Sequence, residues 1–108
     1  MQRIRLKGDH FDKVLRGAGA VIRISKKTPD LGEAVLWCEN VPPYEVKVII
    51  DRITILPWET LNPYDIGKTG FKGTGILREA LENFYDIKIK PRQTVRMIEF
   101  FKDEDNDG

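Results

Sequence analysis

The chain has 108 residues, enough for one domain with a modest core. Its 41% hydrophobic and 32% charged residues are those of a soluble globular protein, and its one cysteine and one histidine exclude an internal disulfide and a zinc-ligand cluster. The net charge of +1 hides an asymmetry: the stretch DEDNDG at 103–108 holds four of the 17 acids, so residues 1–102 carry 18 bases against 13 acids, about +5.

A mildly basic body with an acidic tail is compatible with nucleic-acid binding. The tail at 103–108 is expected to be disordered, and residues 3–102 to form a single domain. No apolar run approaches the roughly 18 residues of a spanning helix. The start, MQRIRLKG, has no apolar secretory core, so a cytoplasmic protein is expected.

Arg3 to Lys7 alternates basic and apolar residues and reads as a first strand. Asp9 then looks like an N-cap. Phe11, Val14 and Leu15 fall on one helical face, and Gly17 suits the position that ends the helix. His10, at the start of this helix, reads as a surface residue, since positive charge is disfavoured there. RGAGA at 16–20 is a small-residue turn. Ala20 to Ser25 is the second strand. KKTPD at 26–30 is a polar turn, and Gly32 to Glu39 is the third strand. In that strand Ala34, Leu36 and Cys38 share one face, and Cys38 reads as a buried small hydrophobe.

Tyr44 to Leu56 is the long central strand. Tyr44, Val46, Val48 and Ile50 share a face, and then the apolar parity passes to Ile53 and Ile55. The run Lys88 to Lys102 shows the same break: Val95 and Met97 first, then Ile98 and Phe100. A flip of parity means a β-bulge or a strand buried on both faces. Bent strands of this kind suit a small barrel, in which closure removes the edges. Between these strands, 58–73 is rich in turn formers and holds a turn or two of helix at most. Ile76 to Phe84 is the clearest helix, with Ile76, Leu77, Ala80, Leu81 and Phe84 as its apolar set. Arg78 and Glu82 stand four apart on its outer face and support each other weakly.

The order β-α-β-β-β-(turn)-α-β, with its landmarks, resembles the ASCH domain, of the PUA-like β-barrel superfamily. FDKVLRGAGAVIR, GEAVLW followed by YEVKVIIDRI, and GFKGTGILREALENFYDIKIKPRQTVRMIEFF carry the likeness across about residues 3 to 101. The resemblance implies an α+β fold: a small mixed barrel of five to six strands with two main helices, a cleft beside the first helix, and an association with RNA. Some small members are amidohydrolases acting on acylated cytidine. They use a Lys and a Thr after the first helix and a Glu early in the second. Here those places hold Gly17 to Gly19, Ala20 to Ile22, and Ile76 or Leu77, so the catalytic set does not carry over. Arg23 still matches.

A non-catalytic RNA- or nucleotide-binding module is therefore the leading reading, acting as a monomer on single strands without metal or cofactor. The candidate contacts are Arg16, Arg23, Lys26, Lys27, Trp58, Lys68, Thr69 and Lys72. Arginine offers a planar fork of donors to phosphate, and a glycine-rich loop with lysines, GKTGFKG, can cradle one. Trp37, Trp58, Tyr64 and Tyr85 offer rings that can stack bases, though such residues more often fill small cores; Trp58, between Pro57 and a polar turn, is the one expected to be partly exposed. Gly67-Lys68-Thr69 has the ending of a P-loop, but the glycine required five residues earlier is Asn62, so the P-loop reading fails and no nucleotide triphosphatase is inferred. Glu59 and Asp65, six apart in a loop, are an acid/base pair that nothing in their spacing demands. The alternatives are a small hydrolase of a modified nucleoside with a rearranged catalytic set, and a protein-interaction module.

Overall fold

The structure is a computed structural model that describes residues 1–103. The acidic tail past Asp103 lies outside the described residues. Five strands form one sheet: β1 (Gln2–Arg5), β2 (Ala20–Arg23), β3 (Gly32–Trp37), β4 (Glu45–Pro57) and β5 (Thr94–Lys102). Their spatial order is β1-β3-β4-β5-β2. β1 runs parallel to β3 and the other neighbours are antiparallel. β1 and β2 end the order without pairing with each other, so the sheet is a half-barrel rather than a closed one. The last strand does not close the sheet. It runs between β4 and β2.

Both parity flips have physical causes. In β4 the register against β5 shifts between Ile50 and Arg52, so Asp51 is the extra residue of a bulge. Before it Val46, Val48 and Ile50 face one core, and after it Ile53 does. β5 needs no bulge, because it is buried on both faces. Ile98 and Phe100 pack with Phe11, Val14, Val21 and Leu36 in one apolar cluster. Val95 and Met97 pack with Ile22, Trp58, Leu77 and Leu81 in the other. β5 is thus the wall between two cores, and each side of it removes apolar surface from water.

Three helices cover the sheet: α1 (Gly8–Leu15), α2 (Pro63–Lys68) and α3 (Thr74–Tyr85). α1 begins two residues earlier than its sequence suggests. Lys7 is the N-cap, and Asp9 sits in the first turn, where its charge suits the helix dipole. Gly17 follows the C-cap Arg16 at φ +107, as a left-handed stop. α2 starts on a capping box: Asn62 and Asp65 exchange side-chain and backbone hydrogen bonds, with Pro63 at the first position.

α3 buries Leu77, Ala80 and Leu81, but Ile76 is 56% exposed and leaves the apolar set. Four residues apart on α3, Arg78 and Glu82 do more than support each other. Arg78 Nη2 donates to the Ile89 carbonyl at 2.6 Å, and the Ile89 N–H donates to Glu82 Oε2 at 2.8 Å. This clamp holds the segment before β5 in turn geometry, and the strand itself starts at Thr94. β4 likewise starts at Glu45, because Tyr44 turns at φ +72 and stays exposed. Cys38 is buried, as its alternation predicts. Among the described residues no helix is long and apolar enough to cross a membrane.

Candidate nucleic-acid interface

The end of α1 and the end of α2 meet. The Gly19 N–H donates to the Lys68 carbonyl at 3.0 Å, and the Phe100 N–H donates to the Gly19 carbonyl at 3.0 Å. The RGAGA turn is thereby stapled to α2 on one side and to β5 on the other. Gly70, at φ +81, brings the GKTGFKG loop against α1. A Cβ at Gly70 would stand 3.1 Å from the Lys13 Cβ, so glycine is required there by both conformation and space.

This junction forms a groove of about 420 Å³ whose walls include Lys13, Arg16, Lys68 and Lys72, with the backbone of Gly17, Gly19, Gly67 and Gly70. Part of its charge is already answered. Arg16 Nε lies 3.0 Å from Asp12 Oδ2, and Lys68 Nζ lies 2.6 Å from Glu99 Oε1. The Glu99 hydrogen bond, more than any other influence, holds the Lys68 ammonium above its ordinary pKa, so it is charged at neutral pH. Lys68 also stands over the ring of Tyr64 at 4.7 Å, and Lys13 over that of Phe71 at 5.4 Å. Lys72 is exposed and makes no ion pair among the described residues. Four cations against two carboxylates leave a net positive groove with two cations uncommitted to an acid.

A second concavity of about 590 Å³ adjoins it and shares Lys13 and Lys72 as lining residues. Its floor is more apolar, with Val41, Phe71 and the exposed Ile76, and it carries Asp9 and Asp12.

No family model and no curated protein matches the chain. Solved structures do. An ASCH domain from Lactobacillus crispatus JV V101 superposes with a TM-score of 0.67 at 14% identity, over 94% of this chain and 79% of that one. The chain has an ASCH-like fold. Hypothetical protein PH0355 matches with a TM-score of 0.66 at 17% identity, over 94% of this chain and 98% of that one. Protein EF3133 from Enterococcus faecalis V583 matches with a TM-score of 0.59 at 10% identity, over 82% of this chain and 63% of that longer one. At these identities the likeness is one of fold.

The ASCH-like fold sorts the residues singled out in the sequence. Arg16, Lys68 and Lys72 converge on the groove. Arg23 does not. It sits at the far end of β2, beside Lys7 and His10, and Lys26 and Lys27 are exposed in the loop beyond it. Thr69 does not line this groove, for it is buried and its hydroxyl donates to the Ile66 carbonyl at 2.6 Å. Trp58 is 7% exposed, against the expected partial exposure. Its N–H donates to Gln93 and that of Glu59 to Pro91, which ties the short 3₁₀ turn at Trp58–Thr60 to the approach of β5 and presses the ring into the second core. Tyr64, by contrast, is 71% exposed beside Lys68.

His10 corrects another expectation. It is 5% exposed and packs on Phe71, ring centroids 5.0 Å apart. Burial, reinforced by Lys7 and Arg23 and opposed by Asp9, pushes its pKa down to about 4, so the ring is neutral. The sequence reading missed Lys13, which had a signal: it stands three residues before Arg16 and so shares its helix face.

Proposed function

We propose that this ASCH-like domain binds single-stranded RNA or a nucleotide through the groove between α1, α2 and the GKTGFKG loop, without catalysing a reaction on it. The observation that carries the reading is the convergence of Lys13, Arg16, Lys68 and Lys72 on one concave surface lined by glycine backbone. Several cations on one surface suit a run of phosphates, and glycine lets the backbone approach them. The exposed ring of Tyr64 beside Lys68 supplies a face for one base. The likeness of fold to an ASCH domain supports the same reading, since the resemblance of the sequence to that family implies an association with RNA. The hydrolase alternative gains nothing from the loop, because the Thr69 hydroxyl is buried and committed to Ile66.

A titration of labelled single-stranded oligonucleotides across a salt series tests the proposal. Between two and four neutralised phosphates, at roughly −0.7 each, give a log–log slope of about −1.4 to −2.8. A flat salt dependence, or no binding at low salt, would remove the groove as an RNA site.

A further inference from the structure

Among the described residues two buried side-chain nitrogens lack a hydrogen-bond partner: Nε2 of His10 and Nε of Arg23. Buried polar groups are almost always paired, so two orphans call for a common cause. Both residues line one small cavity between α1, β2 and α3, together with Lys7 and Tyr85. It shares no lining residue with the basic groove.

The cavity has the character of an anion site. Lys7 and Arg23 are its charged lining residues, and no carboxylate lines it. Arg23 makes no ion pair among the described residues. The free volume of about 10 Å³ has room for a single water-sized atom. Lys7 is exposed, and Arg23, Phe84 and Tyr85 are half-buried, so the cavity lies near the surface and not deep in the core.

We propose that this cavity receives one oxygen of an oxyanion, a phosphate or a carboxylate, between Arg23 Nε and His10 Nε2, with the rest of the group outside against Lys7. The size limit and the charge agree. One oxygen is as large as a water, and the remaining atoms stay at the surface beside an ammonium. Arg23 Nε–H can donate to that oxygen, and so can His10 in the tautomer that carries its proton on Nε2. A neighbouring negative oxygen also favours the charged imidazolium. His10 is faced by Lys7 and Asp9 from its own end of the chain, by Arg23 from β2, by Tyr85 of α3 across the cavity, and by Phe71, on which Lys13 also rests. The bound oxygen would add a negative charge to this mainly cationic set. The site stands apart from the RNA reading and does not depend on it.

His10 is the chain's one histidine, so its ring signals in an NMR pH titration are unambiguous. The titration is run in chloride, in acetate and in inorganic phosphate at matched ionic strength. Phosphate is expected to raise the pKa of His10 by about one unit, which is tenfold tighter binding to the protonated form. A rise in acetate as well would make the site general for oxyanions, and a rise in phosphate alone would make it a phosphate site. Arg23→Gln should abolish the rise. Arg23→Lys, the milder change, keeps the charge but lacks Nε, and should lose most of it. Lys72→Ala, in the groove, should leave it intact. An unchanged pKa in both phosphate and acetate would overturn the proposal and leave the cavity to a water molecule. So would a rise that survives in Arg23→Lys or is lost in Lys72→Ala.

Discussion

Lys68 Nζ lies 2.6 Å from Glu99 Oε1, and this one contact joins the end of α2 to the strand that divides the two cores. Glu99 is also 3.6 Å from the Arg52 guanidinium on β4, so a single, mostly buried carboxylate answers two cations. It sets both how firmly α2 is held and how much positive charge the groove shows a ligand.

Glu99→Gln should therefore act in two directions. RNA binding should tighten, and its salt slope should steepen by about 0.7, as Lys68 becomes free for a phosphate. Stability should fall at the same time. The pair holds the Lys68 pKa above its ordinary 10.5. A raised lysine stabilises the fold below the unfolded value and loses that contribution as pH rises through the folded one. The loss in the parent protein lies above pH 10.5, and the variant should show less of it. Urea denaturation across alkaline pH, with anisotropy titrations at neutral pH, checks both arms.

Alanine substitutions should map the groove. Lys13→Ala and Lys72→Ala should each weaken RNA binding and reduce the salt slope by about 0.7. Lys26→Ala and Lys27→Ala, at the other end of β2, should change neither by more than a fraction of that. Equal losses at all four positions would mean diffuse attraction to the whole basic body.

Gly70→Ala and Gly17→Ala differ in one respect. Both glycines have positive φ, but only Gly70 would place a Cβ against another residue, 3.1 Å from the Lys13 Cβ. Left-handed backbone alone costs an alanine about 1 kcal/mol. Gly17→Ala should lose about that much in chemical denaturation, and Gly70→Ala should lose about 2 kcal/mol or more once the contact strain is added. Gly70→Ala should also weaken RNA binding, because the loop must move away from α1.

The acid side of the stability curve should carry the mark of His10. Its folded pKa of about 4 lies below the unfolded 6.5. Between these values the unfolded chain binds a proton that the folded one refuses. Stability is then fully present above pH 6.5 and is lost as pH falls toward 4, by about 3 kcal/mol in all. His10→Phe keeps a ring against Phe71 and should remove this part of the slope. Carboxylates titrate below about pH 5 in both proteins, so the difference between the two curves is the quantity to measure.

Much of this was legible in the order of residues. The bulge at Asp51 was visible as a change of apolar parity, because side chains in a strand alternate strictly and an odd insertion must show. The double burial of β5 was visible for the same reason. Arg16, Lys68 and Lys72 could be singled out from their glycine-rich surroundings, and they line one groove. Trp58 and His10 were misplaced, since each has polar neighbours in sequence and apolar ones in space. Nothing local signals that Trp58 will be drawn inward by hydrogen bonds to Gln93, or that Phe71 will cover His10.

The sequence by itself determined the period of each element, its approximate place in the chain and the sign of its loops. Those properties depend on a residue and its near neighbours, through backbone conformation and the alternation of side chains. Tertiary structure decided which loops meet. Arg16 and Lys68 are 52 positions apart, and they share a groove because the Gly19 N–H bonds to the Lys68 carbonyl. Arg23 is seven positions from Arg16 and lies in a different cavity, because β2 carries it to the other end of the sheet. Separation along the chain is a poor guide to either outcome. A strand moves its ends about 3.3 Å further apart with each residue, whereas a turn brings distant segments into hydrogen-bond range.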